Sequence, residues 1–254
     1  MLVKQLKTDE LITYIYSDRN SMGMAAAQAI AQRVRDLLEQ KEQINMIFAS
    51  APSQNEMLAC LVHEEVPWQK VNAFHMDEYR GLSQMAPQTF GNFLKNAIFD
   101  HVNFKSVHYI RGNEDPESEC ERYSALLQQY PADIAILGIG ENGHIAFNDP
   151  AVADFHDPLL VKEVKLDEMC RNQQVHDGCF ASLQEVPESA LTLTVPALMR
   201  AQTIFCVVPT ALKCNAVTLT VKGGISEVCP ASIVRTHPDS HLYIDVDSGA
   251  ELLK

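Results

Sequence analysis

The chain has 254 residues, 46% of them hydrophobic, with 20 Lys and Arg against 33 Asp and Glu for a net charge of −13. That length and apolar content suit a single large domain, residues 1–254, with a sizeable core. So acidic a surface repels nucleic acid and anionic membranes, and an anionic ligand would need a local cationic site.

Along the chain, short apolar runs rich in β-branched residues alternate with segments of helical period. The run Ile12–Tyr16 predicts a strand, and Met22–Gln40 a helix with Ala25, Ala29, Ile30, Val34, Leu37 and Leu38 on one face. The pattern repeats as strand Ile44–Ala49, helix around Asn55–His63, strand Val71–His75 and a loop Met76–Pro87. Helices are expected at Gln88–Phe99 and Glu117–Tyr130, with strands Val107–Ile110 and Ile134–Leu137. Residues 151–187 are polar and poorly periodic, which suits a lid. Beyond them Ala190–Thr194, Thr203–Val208, Ser232–Thr236 and Leu242–Asp245 read as strands, with a helix near Leu212–Val221. The alternation predicts an α/β fold with a mostly parallel sheet covered by helices on both faces.

The seven cysteines are odd in number and include no C-x-x-C pair, as expected of reduced thiols in the cytoplasm. The N-terminus MLVKQLKTDE lacks the apolar region of a signal peptide, and no run approaches the roughly 18 apolar residues of a membrane span.

In open α/β sheets ligands bind beyond the carboxyl ends of the strands, so chemistry is sought in the loops there. After Ile134–Leu137 comes Gly138-Ile139-Gly140-Glu141-Asn142-Gly143-His144, whose glycines permit close backbone approach to a ligand. No clear helical run follows, which argues against a dinucleotide site. His144 has Glu141 and Asp149 near in sequence, and a carboxylate could orient its imidazole for proton transfer; a histidine that merely caps the turn is the alternative. Asp77 and Glu78 follow Val71–His75, where a desolvated carboxylate could serve as a base and a solvated one as ordinary loop surface. Lys213 follows Thr203–Val208 near a helix start, a position able to bind phosphate. No H-E-x-x-H or G-x-S-x-G motif occurs, and Pro238 between His237 and His241 argues against a helical metal pair.

Two of these segments, Phe74-His75-Met76-Asp77-Glu78-Tyr79 and Gly138 through Phe147-Asn148-Asp149-Pro150, resemble the signature segments of glucosamine-6-phosphate deaminases, also called isomerases. The similarity extends through Asn92–Val102, the stretch from Val186-Pro187 to Lys213, and the closing Cys229-Pro230-Ala231-Ser232-Ile233 and His237-Pro238. It implies a Rossmann-like fold, aldose-ketose isomerisation coupled to loss of ammonia, fructose 6-phosphate as product, and no metal or organic cofactor. By the same resemblance Asp77 is the carbon base, His144 assists ring opening, Asp149 orients His144, and Asn142 stands where some members carry aspartate. Lys213 matches the phosphate-binding lysine, and 151–187 falls at a mobile lid. Gly143, Glu78 and the hydroxyls of Ser50 and Ser53 are further expected substrate contacts, and family members are often homo-oligomers.

The chain also departs from the family. A T-G-G-T-P-like phosphate loop is replaced by Ser50-Ala51-Pro52-Ser53-Gln54-Asn55, without either glycine. Asp149 stands where many members have glutamate. The lid arginine has no clear match, Arg171 being the nearest but offset. Two rivals follow. A 6-phosphogluconolactonase-type hydrolase usually carries G-H-T-A-S-L-F where this chain has Gly143-His144-Ile145-Ala146-Phe147-Asn148. A phosphosugar-binding regulator would retain the fold with weak catalysis.

Overall fold

The structure, a computed structural model, describes residues 1–254. An antiparallel pair, β1 (Leu2–Thr8) and β2 (Leu11–Tyr16), opens the chain. There follow α1 (Arg19–Leu38), β3 (Ile44–Phe48), α2 (Asn55–Leu61), β4 (Val71–His75), β5 (Asp77–Tyr79), α3 (Phe90–Leu94), β6 (Ser106–His108), α4 (Pro116–Gln129) and β7 (Ile134–Leu137). The second half holds β8 (Val161–Lys165), α5 (Glu168–His176), β9 (Ser189–Leu193), α6 (Val195–Met199), β10 (Thr203–Val208), α7 (Cys214–Lys222) and β11 (Ser240–Asp245).

Eight strands form one sheet in the order β1-β2-β11-β10-β7-β3-β4-β6, in which every pair except β1–β2 is parallel. Its central strands are buried and mostly apolar because both faces are covered. Successive side chains go to opposite faces and join different cores. In β7, Ala135 and Leu137 pack in one apolar cluster and Ile134 and Ile136 in another. In β10, Ile204, Cys206 and Val208 divide in the same way from Phe205 and Val207. At one edge β1 is mostly exposed and carries Lys4 and Lys7, charges that discourage pairing with another chain.

A smaller antiparallel sheet, β5-β9-β8, stands beside the main one. It packs its own apolar cluster, which includes Tyr79, Phe90, Phe147, Val164, Phe180 and Ala190.

Several expectations change here. The segment 151–187 is not featureless: it contains β8 and α5 and contributes to that third cluster. The expected loop Met76–Pro87 begins with β5. Ser232–Thr236, read as a strand from its β-branched residues, lies in a 3-10 helix, Pro230–Thr236. Pro230 at the helix start fixes a helical φ there, and Ala231 and Val234 still reach the core.

Candidate active site

Strands β10, β7, β3 and β4 are consecutive in the sheet and parallel, so their carboxyl ends point the same way and the loops that follow them lie side by side. Those loops, the start of α1 and the end of α5 line one cavity. Asp77, Gly140, His144, Lys213, Ser50 and Ser53 all face it.

Asp77 is buried, and its backbone is held from behind by His75, whose Nδ1 lies 2.8 Å from the Asp77 carbonyl oxygen. The other ring nitrogen of His75, Nε2, accepts from the Ile110 amide at 2.9 Å, so Nδ1 carries the proton and donates. Burial pushes the His75 imidazole down to about 4. Burial also raises the Asp77 carboxyl well above its ordinary value, with the neighbouring Glu78 adding to the effect. A carboxylate so disfavoured is a stronger proton acceptor than one in water.

His144 rests directly on Gly140: a Cβ at that glycine would come within 2.1 Å of the ring. The imidazole Nδ1 lies 2.9 Å from Asp149 Oδ1 and 2.8 Å from Asn142 Oδ1. Both oxygens are acceptors, so Nδ1 bears the proton and Nε2 is the ring nitrogen left free. Asn142 also donates from Nδ2 to Asp149 Oδ1 at 2.8 Å. Burial alone would raise the Asp149 carboxyl, but the bonds from His144 and Asn142 outweigh it and hold the group below its ordinary value. Asp149 and Asn142 do not line the cavity; they stand behind the imidazole and fix its orientation.

Lys213 is only 5% exposed, and its Nζ has no hydrogen-bond partner. Burial lowers its pKa, while Asp177 and Glu141 oppose that shift. The buried Ser50 hydroxyl is likewise unpartnered, whereas Ser53 Oγ accepts from Gln54 Nε2 at 2.9 Å. Thr210, three residues before Lys213, has φ of 83°, a strained value for threonine, and donates its amide to Asp245.

Two expected contacts do not reach the cavity. Asp77 and Glu78 are consecutive in β5 and therefore point to opposite faces. Glu78 turns to the start of α3, accepting amide bonds from Tyr79, Phe90 and Gly91 at 2.9 to 3.0 Å. Gly143, at φ of 85°, closes the turn onto Gly140 and packs on Cys229. Although Gly138, Gly140 and Gly143 stand at the G-x-G-x-x-G spacing, the next helix or strand after β7 is β8, so no helix presents its amides to a dinucleotide.

The structure adds residues that the sequence did not single out. Arg19, first residue of α1, faces the cavity, as do Gln173 and Gln174 of α5 and Asp177 at its C-terminal cap. Gln173 Oε1 accepts from the Glu141 amide at 2.8 Å, tying α5 to the glycine-rich loop. Arg171 instead donates to the carbonyls of Leu183 and Val186, within the same segment.

Ligand atoms of His144, Asp149 and Cys170 lie within 4.8 Å of one another. The imidazole and carboxylate are already bonded to each other, and burial, with Asp149 adding to it, raises the Cys170 thiol far above its ordinary value. The thiolate a metal would need is disfavoured.

Comparison with known proteins shows the family. Residues 17–243 match the family described as glucosamine-6-phosphate isomerases/6-phosphogluconolactonase. The chain belongs to this family. Glucosamine-6-phosphate deaminases of Bacillus thuringiensis (strain Al Hakam) and Bacillus cereus (strain AH820) are each 31% identical over 223 residues, covering 87% of this chain and 83% of theirs. A solved monomeric glucosamine-6-phosphate deaminase superposes with a TM-score of 0.84 at 27% identity, covering 95% of this chain and 99% of its own. The 6-phosphogluconolactonase of Thermotoga maritima shares the fold, with a TM-score of 0.76 at 21% identity over 92% of this chain and 99% of its own. No helix is long and apolar enough to cross a membrane.

Proposed function

We propose that the protein converts an amino-sugar phosphate of the glucosamine 6-phosphate type into fructose 6-phosphate and ammonia. The observation that carries the reading is the placement of two proton-transfer groups, Asp77 and the His144–Asp149 pair, on the same cavity. The names of the deaminases at 31% identity support the choice of reaction.

The chemistry follows from the two groups. His144, with Nε2 free, takes the proton of the C1 hydroxyl and returns it to the ring oxygen, opening the pyranose. Asp149 stabilises the imidazolium in between. Asp77 then removes the C2 proton of the open-chain aldose while a proton of the substrate's ammonium group passes to the C1 oxygen, leaving an enolamine. Returning that proton to C1 yields a C2 imine, which water hydrolyses to the ketone and ammonia. Desolvation of Asp77 strengthens it for this step, and the lid residues 151–187 would keep bulk water from the carbanion-like intermediate. Lys213 is the anchor for the phosphate. The reading also places the enzyme in the cytoplasm, in amino-sugar catabolism. The homo-oligomer that the family resemblance implies is tested by sedimentation, the solved relative at 27% identity being a monomer.

The test is incubation with glucosamine 6-phosphate and, separately, with 6-phosphogluconolactone. Ammonia and fructose 6-phosphate in equal amounts support the deaminase. Lactone loss without ammonia would replace it with the hydrolase, and binding without turnover with the regulator.

A further inference from the structure

Thr210 lines the cavity between the end of β10 and Lys213. Its backbone, at φ of 83° and ψ of 147°, lies in a region used almost only by glycine, because at positive φ a Cβ crowds the backbone carbonyls. A β-branched side chain adds to that crowding. The surroundings hold the residue there. Its amide donates to both carboxylate oxygens of Asp245, at 3.2 and 3.1 Å. Asp245 is buried at the end of β11 and is fixed in turn by the amide and hydroxyl of Ser248, at 2.8 and 2.9 Å. The Thr210 carbonyl accepts from the Lys213 amide at 3.0 Å, closing the turn that carries the lysine. Both main-chain polar groups of Thr210 are thus used in holding the turn, and what the residue can offer the cavity is its side-chain hydroxyl.

Two further donors meet this cavity without a partner. The Lys213 ammonium and the Ser50 hydroxyl are both buried and unpaired. Lys213 follows β10 and Ser50 follows β3, with β7 between them in the sheet, and the loop after β7 starts at Gly138, which has no side chain to part the two. An ammonium and hydroxyls left unpaired where water is largely excluded suit the oxygens of a tetrahedral anion.

We propose that Thr210 is a specificity-determining residue: its hydroxyl, held at the cavity by the strained turn, donates to the phosphate of the substrate beside Lys213 and Ser50. This rests on the amino-sugar phosphate reading and deepens it, adding a contact from the turn that precedes the lysine. A glycine would take the same backbone without strain but would leave a phosphate oxygen without its donor. Stability and recognition therefore oppose each other at this one position.

The test titrates glucitol 6-phosphate, which cannot react, calorimetrically into the wild type, Thr210→Gly, Thr210→Val and Thr210→Ser, with a thermal melt of each. Relief of strain should raise the melting temperature of Thr210→Gly by about 2–4 °C, while loss of the hydroxyl weakens its binding about tenfold. Thr210→Val keeps the shape without the hydroxyl and should weaken by about the same tenfold, without the gain in melting temperature. Thr210→Ser keeps the hydroxyl and should bind within about threefold of the wild type. Should the valine variant fold poorly, the glycine and serine variants carry the comparison. Binding by Thr210→Gly within about twofold of the wild type overturns the proposal, as does a serine variant that binds no better than the glycine variant. A glycine variant that melts below the wild type overturns the strained turn on which the proposal stands, and a wild type that does not bind glucitol 6-phosphate overturns it together with the phosphosugar reading. Ammonia release from glucosamine 6-phosphate by the wild type scores the deaminase reading separately, since the binding comparison needs no turnover.

Discussion

Gly140→Ala should disable the enzyme without unfolding it. The added Cβ would lie 2.1 Å from Cε1 of His144 and 2.3 Å from both ring nitrogens, against an ordinary contact of 3.4 Å or more. The ring cannot stay in place and must move by more than 1 Å, breaking the alignment of Nδ1 with Asp149 and Asn142. A misplacement of about 1 Å in a reacting group costs on the order of a hundredfold in rate, equivalent to about 2.7 kcal/mol. Gly140 has an ordinary negative or extended φ, so the alanine backbone itself is unstrained. Steady-state ammonia release should therefore show kcat down about a hundredfold, with the thermal midpoint within a few degrees of wild type. Gly224→Ala, where nothing lies within 4 Å of the added carbon, is the control. If Gly140→Ala kept kcat within about threefold of wild type, the reasoning that this glycine seats a catalytic imidazole would be refuted.

Asp149→Asn preserves shape but removes the charge that stabilises the His144 imidazolium. A hydrogen bond to a charged group is worth about 1.5–3 kcal/mol, so kcat should fall ten- to a hundredfold or more, and a fall of less than threefold would contradict the assigned role. Stability should respond to pH through two buried groups of opposite sense. His75 is held at about 4, so as pH falls from 6.5 the unfolded chain takes a proton that the folded chain refuses, and stability drops until about pH 4. Glu78, raised to about 7 by burial, keeps its proton in the folded chain where the unfolded chain has lost it, so its contribution to stability declines as pH rises from 4.5 to 7. Taken by themselves the two nearly cancel between pH 4.5 and 6.5, and Asp77, also raised by burial, acts in the same sense as Glu78. In the double variant Asp77→Asn, Glu78→Gln the His75 effect stands alone, and urea unfolding should show stability rising about 1.4 kcal/mol per pH unit over that window; the same slope in the wild type would argue against the opposition.

The strands that carry the site were the most legible parts of the sequence. β4, β7 and β10 fall at the residues read from it, because strands buried on both faces are continuous apolar runs bounded by polar or glycine-rich loops. The segment 151–187 was not legible in that way. β8 is the edge of a three-stranded sheet with only Val161 and Val164 buried, and α5 is polar because it lies between the glycine-rich loop and the cavity. Asp77, His144, Asp149 and Lys213 could be picked out from their places after strands together with the signature segments. Glu78 and Gly143 were neighbours of those residues in sequence only, separated from the cavity by strand alternation and by a turn. Arg19 could have been found by the same rule, since it follows the carboxyl end of β2. Asp177 could not, because it comes to the cavity only through the fold of α5 against the glycine-rich loop.

The central claim is that Asp77 moves a carbon-bound proton. Incubation of glucosamine 6-phosphate in deuterium oxide, with NMR of the recovered sugars, tests it most directly. The wild type should place deuterium at C1 of fructose 6-phosphate, and Asp77→Asn, folded and still binding the sugar, should release no ammonia and exchange no hydrogen at C2. Continued exchange or near-normal turnover in that variant would show that another group is the base.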